Sequence, residues 1–279
     1  SAAEMLELAP RAVAVITEWG TGADAAYFSH AHQLQVFARS GVEILNVDLD
    51  AATEAGVIVA NTPGLYVTPV VEMVIAFMIC LAHGIVERHC ALQKGILPEP
   101  TVFSEISGKT LGIIGLGDIG VEVARVASSL GMAVLGYDPY VIVESGCLTQ
   151  TSLAEVLSNS DYVSIHAKLT PRTRGLIGRG ELCQMRRGSF LINTARGAIV
   201  DEPALVWALE SGHLAGAAVD VYATEPDILA SPLLKAPNVI TTPHIGGLTR
   251  EAMRRQALTT VAAVRRVLSG QVPHPDLNV

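Results

Sequence analysis

Leu111-Gly-Ile-Ile-Gly115-Leu-Gly117-Asp-Ile-Gly120 is the stretch that decides the fold. An apolar run leads into Gly115, and the glycines Gly115, Gly117 and Gly120 then stand at the spacing G-x-G-x-x-G. A helical pattern begins at once, with Ile119, Val123, Val126, Ala127 and Leu130 in one apolar stripe. A glycine triplet alone is weak, but strand, glycines and helix in that order are specific. Such glycines permit a sharp turn and let backbone approach a pyrophosphate, whose charge sits at the helix N-terminus. The next apolar run, Val134-Leu-Gly-Tyr-Asp138, ends in a carboxylate. Placed there, Asp138 accepts hydrogen bonds from adenosine ribose hydroxyls and repels a 2′-phosphate, which favours NAD over NADP. Its plainer reading is a turn residue before Pro139.

Working outward, similar runs recur at Val13–Ile16, Gln35–Ala38, Val57–Ala60, Leu111–Leu116, Tyr162–His166, Phe190–Thr194, Ala217–Tyr222 and Val239–Thr242. They are short and apolar rather than alternating, as strands covered on both faces should be. Helix ends are legible between them. Ser152-Leu-Ala-Glu155 is a capping box, and Asp201 caps a helix with Pro203 in its first turn and a stop near Gly212. Alternating strands and helices predict an α/β doubly wound fold. Gln93 to Thr110, with Gly95, Pro98, Pro100 and Gly108, reads as a connection into a second unit. Val67 to Val86 is long enough to span a bilayer, yet it carries Pro69, Glu72, His83 and Gly84. A buried interface helix is the expectation there, and no membrane partner.

Composition removes several function classes. Of 279 residues half are hydrophobic and 16% are charged, which excludes a disordered chain. A net charge of −8 without a Lys/Arg cluster argues against a nucleic-acid surface. Cys80, Cys90, Cys147 and Cys183 form no CxxC pair and no metal-ligand spacing, so no metal is expected. They read as small hydrophobes in a reducing compartment, and without a signal-peptide pattern a cytoplasmic location is expected.

Three further segments carry chemistry: Asn193-Thr-Ala-Arg196-Gly197, Asp220-Val-Tyr-Ala-Thr-Glu225-Pro226 and Thr242-Pro-His244-Ile-Gly246-Gly247. Each follows an expected strand, where open α/β sheets place their ligands. Hydride transfer to a 2-oxo acid needs the residue types they hold. Arg196 binds a carboxylate and polarises the carbonyl, His244 gives or takes the hydroxyl proton, and Glu225 orients and charges that imidazole. Taken singly, they also read as a surface ion pair, a loop histidine and a turn residue. The other histidines, His274 among them, are read as ordinary.

With these motifs in order, the chain resembles the D-isomer-specific 2-hydroxyacid dehydrogenases, the family of phosphoglycerate, glycerate/hydroxypyruvate and D-lactate dehydrogenases. GLGDIG, NTARG, DVYATEP and TPHIGG carry the resemblance, with SGVEILNVDLDAATEAGVIVANTPG upstream. It implies a Rossmann-type coenzyme domain, residues 73–248, inserted into a flavodoxin-like substrate domain made of 1–72 and 249–279. It also implies a site in the cleft, a homodimer, NAD as cofactor and a small 2-hydroxy or 2-oxo acid as substrate. Arg196, Glu225 and His244 are then catalytic. The cofactor would lie on Gly115, Gly117, Asp118, Ile119, Gly120, Asp138, Thr170, Thr194, Ala195, Arg196, His244 and Gly246, with Asp220 at the nicotinamide carboxamide. The substrate would meet Gly41, Val42 and Glu43 besides Arg196 and His244.

Some features depart from the family pattern. Members usually begin several tens of residues earlier, so the opening strand of the substrate domain is expected to be missing. Glu43 stands where a second glycine is common, and Lys168 where proline is common. Some relatives of this fold act as corepressor scaffolds, so a dinucleotide-sensing binding protein is the alternative to an enzyme.

Overall fold

The computed structural model describes residues 2–18, 20–62 and 64–273, so His274 lies outside the described residues. The chain divides into two compact units, Ser1–Tyr66 with Leu248–Val279, and Val67–Gly247.

The first unit begins with α1 (Ala2–Leu8), β1 (Ala14–Thr17), α2 (Ala25–His30), β2 (Val36–Arg39), α3 (Leu49–Glu54) and β3 (Ile58–Ala60). Its strands are parallel in the order β1-β2-β3. A doubly wound order needs a strand beyond β1, and the described residues hold none. Asp24 and Asp48 cap α2 and α3 by accepting the N–H groups of Tyr27 (2.9 Å) and Ala51 (3.0 Å). On one face of the sheet Tyr27, Phe28 and Phe37 meet edge to face, the geometry that the ring quadrupoles favour. Arg39, fully buried at the end of β2, donates to the Glu18 carbonyl and to Asn46 Oδ1, joining the two loops beyond the strands.

The second unit contains α4 (Val67–His83), α5 (Ile85–Gln93), β4 (Thr110–Ile114), α6 (Asp118–Ser129), β5 (Ala133–Tyr137), β6 (Thr149–Gln150) and α7 (Leu153–Asn159). It continues with β7 (Tyr162–Ile165), α8 (Arg179–Gln184), β8 (Phe190–Asn193), α9 (Glu202–Glu210), β9 (Gly216–Val219) and β10 (Val239–Thr241). Seven parallel strands lie in the order β10-β9-β8-β7-β4-β5-β6. The winding reverses between β4 and β7, which makes the carboxyl ends of those strands the natural ligand edge. The chain closes with α10 (Arg250–Leu268), whose Ala263, Val264 and Val267 cover Val36, Ala38 and Ala60 on the other face of the first unit's sheet.

The capping box is present as read: Glu155 N–H donates to Ser152 Oγ at 3.3 Å and Ser152 N–H to the Glu155 carboxylate at 3.2 Å. Asp201 caps α9 through the Ala204 N–H at 2.9 Å. The two-residue β6 escaped the sequence reading because it lies outside any apolar run and pairs only along β5.

Two boundaries need correction. A division at residue 72 would cut α4, a continuous helix whose Val70, Val71, Val74, Phe77, Met78 and Ala82 are buried in the second unit against α6, β8 and β9. All of α4 therefore belongs to that unit. The stretch from Gln93 to Thr110 lies inside the second unit and joins α5 to β4, instead of linking the two units. The apolar segment from Val67 does not run straight. It breaks at Gly84, which takes the left-handed conformation, φ +57°, and α4 and α5 diverge by 67°. Among the described residues no single helix is long and apolar enough to cross a membrane.

Candidate active site

Gly115 and Gly120 of the 115–120 turn are required for different reasons. Gly115 has φ +99°, and a Cβ there would strike the His166–Ala167 backbone after β7. At Gly120 a Cβ would strike the Gly115 carbonyl, so only glycine lets α6 start so close to β4. Gly117 faces open space at the exposed start of α6, where the first N–H groups of a helix lack partners within it. Thr194, at the end of β8 on the same edge, has a buried Oγ1 with no hydrogen-bond partner. An open, backbone-lined helix start, with an unsatisfied hydroxyl two strands away along the same sheet edge, fits a phosphate-bearing ligand such as a dinucleotide.

Asp138 is more heavily engaged than a free ribose acceptor. Its Oδ2 accepts the Leu116 N–H at 2.9 Å, which ties the glycine turn to the end of β5. Oδ1 accepts the N–H groups of Tyr140 (2.9 Å) and Val141 (3.1 Å). A carboxylate offers about four acceptor positions, so about one remains. Asp138 is therefore a turn-former, with about one acceptor position left over. Thr170 is exposed and exchanges hydrogen bonds with Thr173, and Lys168 is exposed as well.

The ends of β8, β9 and β10 bring the other segments together. After β8, Asn193 donates from Nδ2 to the Arg196 carbonyl at 3.0 Å and accepts the Ala195 N–H at 3.1 Å. That clamp shapes the turn carrying Thr194, Ala195 and Arg196. Gly197 follows because a Cβ would overlap the Tyr222–Ala223 peptide. Tyr222 links the next two loops: its N–H donates to Glu225 Oε1 and its hydroxyl to the Thr242 carbonyl, both at 2.9 Å.

Asp220 clamps the next loop. It is 1% exposed, and its carboxylate is occupied by Thr242 Oγ1 (2.5 Å), the Ile245 N–H (2.9 Å) and the Gly246 N–H (2.7 Å). In this structure Asp220 holds the His244 loop, and the Gly246 N–H is spent on it.

Within that loop His244 adopts φ +53°, and its Nδ1 lies 2.6 Å from Glu225 Oε2. The hydrogen bond that the Glu225 carboxylate accepts raises the His244 pKa, with burial opposing it. Burial pushes Glu225 up, but the hydrogen bonds from His244 and the Tyr222 N–H outweigh it and leave Glu225 below the usual carboxylate range. The charge of Arg196 lowers the pKa of both groups, which places its guanidinium within electrostatic reach of the pair. The structure therefore brings Arg196, Glu225 and His244 together at one edge of one sheet.

Gly41, Val42 and Glu43 belong to the first unit. The Gly41 N–H is already bonded to Thr62 Oγ1 and to the Arg39 carbonyl, both at 3.0 Å, so it is not an open donor. Val42 and Glu43 are exposed. Asn193, Tyr222 and Thr242 shape the cluster yet were not singled out from sequence. An Asn ending a strand before a turn is a recognisable signal, whereas the partners of Tyr222 and Thr242 are set only by the fold.

Comparison with known proteins identifies the family. Residues 75–246 match the family model described as D-isomer specific 2-hydroxyacid dehydrogenase, NAD binding domain. D-3-phosphoglycerate dehydrogenase of Methanocaldococcus jannaschii is 36% identical over 281 residues, 99% of this chain and 53% of that protein. The chain spans about half the length of the curated relatives it matches. Among solved structures, a Thermus thermophilus protein superposes with a TM-score of 0.92 at 37% identity, over 99% of this chain and 89% of that one. NAD-dependent formate dehydrogenase from Staphylococcus aureus, in complex with NAD, gives 0.86 at 30% identity, over 99% and 85%. The chain belongs to the D-isomer specific 2-hydroxyacid dehydrogenase family, and its second unit contains that family's NAD-binding domain.

Proposed function

We propose that this protein is an NAD-dependent dehydrogenase interconverting a small 2-hydroxy acid and its 2-oxo acid. The name shared by its curated relatives makes the D-3-phosphoglycerate pair the first candidate substrate. The observation carrying this reading is the 2.6 Å contact between His244 and Glu225, with Arg196 acting electrostatically on both.

NAD(H), once bound, supplies the acceptor or donor of the hydride. Gly117, Asp118, Ile119 and Gly120 present the start of α6 to its pyrophosphate, Asp138 offers its remaining acceptor to the ribose, and Thr170, Thr194 and Ala195 line the same edge. Because Nδ1 of His244 is committed to Glu225, Nε2 is the nitrogen that faces the reacting oxygen. In reduction it donates the proton, and in oxidation it accepts one. Arg196 binds the substrate carboxylate and stabilises charge growing on the carbonyl oxygen. In the first unit, the exposed Val42–Glu43 stretch is the candidate substrate loop.

The deciding experiment is NADH oxidation with a panel of 2-oxo acids: phosphohydroxypyruvate, hydroxypyruvate, glyoxylate and pyruvate. Turnover with at least one is expected. NADH binding without oxidation across the panel would overturn the enzyme reading in favour of a dinucleotide-sensing scaffold. The same proposal includes a cytoplasmic homodimer. Four free cysteines suit a reducing compartment, and exposed Leu92, Leu97, Val102 and Phe103 suit a face covered by a second copy. Sedimentation at the mass of one chain would refute the dimer.

A further inference from the structure

Glu202 is a buried carboxylate, 6% exposed, in the first turn of α9, and the chemistry above gives it no task. Both of its oxygens turn away from its own helix to the loop carrying Glu225. Oε1 accepts the Ala223 N–H at 2.7 Å, and Oε2 accepts the Ser231 hydroxyl at 2.6 Å. These contacts grip the loop at its two ends, on either side of Glu225. We propose that Glu202 is a positioning residue that sets the Glu225–His244 contact, and its catalytic consequence rests on the function proposed above.

Apolar burial holds this loop chiefly through Tyr222 at its start and Ile228 in its middle. Ala223, Thr224, Pro226, Asp227, Leu229 and Ala230 are exposed, and within the segment Ile228 packs against the core. A cavity of about 120 Å³ lies beneath it, between Glu202 and the stretch from Thr224 to Pro232. Polar anchors therefore supplement that apolar burial here. The Ala223 anchor lies directly after Tyr222, whose N–H holds Glu225 Oε1. A loop released at Ala223 swings the Tyr222–Ala223 peptide and with it the acceptor facing His244. Ser231 also accepts the Leu233 N–H at 3.3 Å, so the far end is fixed to the 3₁₀ turn at Pro232–Lys235. A carboxylate is the economical choice because two donors need two acceptors. An amide still offers Oε1 to Ala223, and the Ser231 hydroxyl can rotate to accept from the amide nitrogen.

The test follows the His244 imidazole by NMR titration in wild type, Glu202→Gln, Glu202→Ala and Ser231→Ala, each checked for native circular dichroism. The expected result is a His244 pKa that falls toward an ordinary imidazole in Glu202→Ala, falls less in Ser231→Ala and stays near wild type in Glu202→Gln. With an active substrate, Glu202→Ala should lower kcat about tenfold and move the alkaline limb of reduction to lower pH, with NADH affinity unchanged, as expected for a misplaced catalytic group. An unchanged His244 pKa in folded Glu202→Ala overturns the proposal. If that variant does not fold, an unchanged pKa in Ser231→Ala overturns it. The titration needs no turnover, so it decides the role of Glu202 even if every 2-oxo acid fails as a substrate.

Discussion

Glu225 Oε2 and His244 Nδ1 lie 2.6 Å apart across a loop pair, and His244 takes a left-handed backbone to reach that position. Such a conformation costs a non-glycine residue roughly 1–3 kcal/mol, so neighbouring contacts must impose it. Asp220 supplies them by holding Thr242, Ile245 and Gly246 on both sides of the histidine. The first prediction follows from the raised His244 pKa. Reduction needs the imidazolium, so its rate falls as pH rises through that pKa, while oxidation rises over the same range. Glu225→Gln removes the main cause of the shift, and both limbs move to lower pH. His244→Ala should lose the pH dependence and about 10²–10⁴-fold in rate. Unmoved profiles in Glu225→Gln would end the dyad assignment.

Arg196 predicts a shift of opposite sign. Its charge lowers the His244 pKa, so Arg196→Ala should move the alkaline limb of reduction upward. The same variant should raise KM for the 2-oxo acid and lower kcat. Arg196→Lys should recover only part of the loss, because an ammonium lacks the two-pronged fork that a carboxylate accepts. A downward limb in Arg196→Ala would contradict the electrostatic assignment.

Asp138 predicts a mixed defect. Asp138→Ala should narrow the preference for NADH over NADPH, since the anion opposing a 2′-phosphate is gone. It should also loosen the glycine turn, because the Leu116 N–H loses its acceptor. NADH affinity therefore falls even as discrimination narrows. Ratios of kcat/KM for the two cofactors measure the first effect, and direct NADH titration the second. A wild-type preference for NADPH would sink the assignment.

Gly197 predicts intolerance to one methyl group. The Cβ of alanine would occupy the Tyr222–Ala223 peptide, so the Arg196 turn and the Glu225 loop must separate. Overpacking of this kind costs typically about 1–3 kcal/mol. Gly197→Ala should lower Tm by several degrees and kcat/KM by more than the lost stability accounts for. Wild-type Tm and activity would show that the contact yields freely.

His166 predicts acid sensitivity apart from catalysis. Burial lowers its pKa from 6.5 to about 4, and its Nε2 lies 2.8 Å from Ser164 Oγ. A histidine held neutral in the fold binds its proton more readily once unfolded. Stability therefore falls as pH drops from about 6.5 toward 4. His166→Gln keeps a hydrogen-bonding side chain but cannot titrate, so Tm measured at pH 7 and pH 4.5 should differ less than in wild type. Equal differences would refute this role.

The sequence by itself determined the longer strands and the glycine turn, and it singled out the residues proposed to react. Apolar runs such as Leu111–Leu116 and the cap residues Ser152 and Asp201 act within a few positions of themselves, so local physics makes them readable. It left the boundary near α4 misplaced, because a helix apolar on several sides does not declare which unit it packs against. The tertiary structure alone decided which donors meet which acceptors. Glu202 meets Ala223, Asp220 meets Ile245, and Glu225 meets His244 only because parallel strands deliver their carboxyl ends to one edge. An aspartate at the end of a strand reads the same whether it binds a cofactor or clamps a loop. The backbone N–H groups that folding brought to Asp220 and Asp138 show the clamping part of each residue's work, because hydrogen-bond partners distant in sequence are fixed by chain topology and not by local propensity.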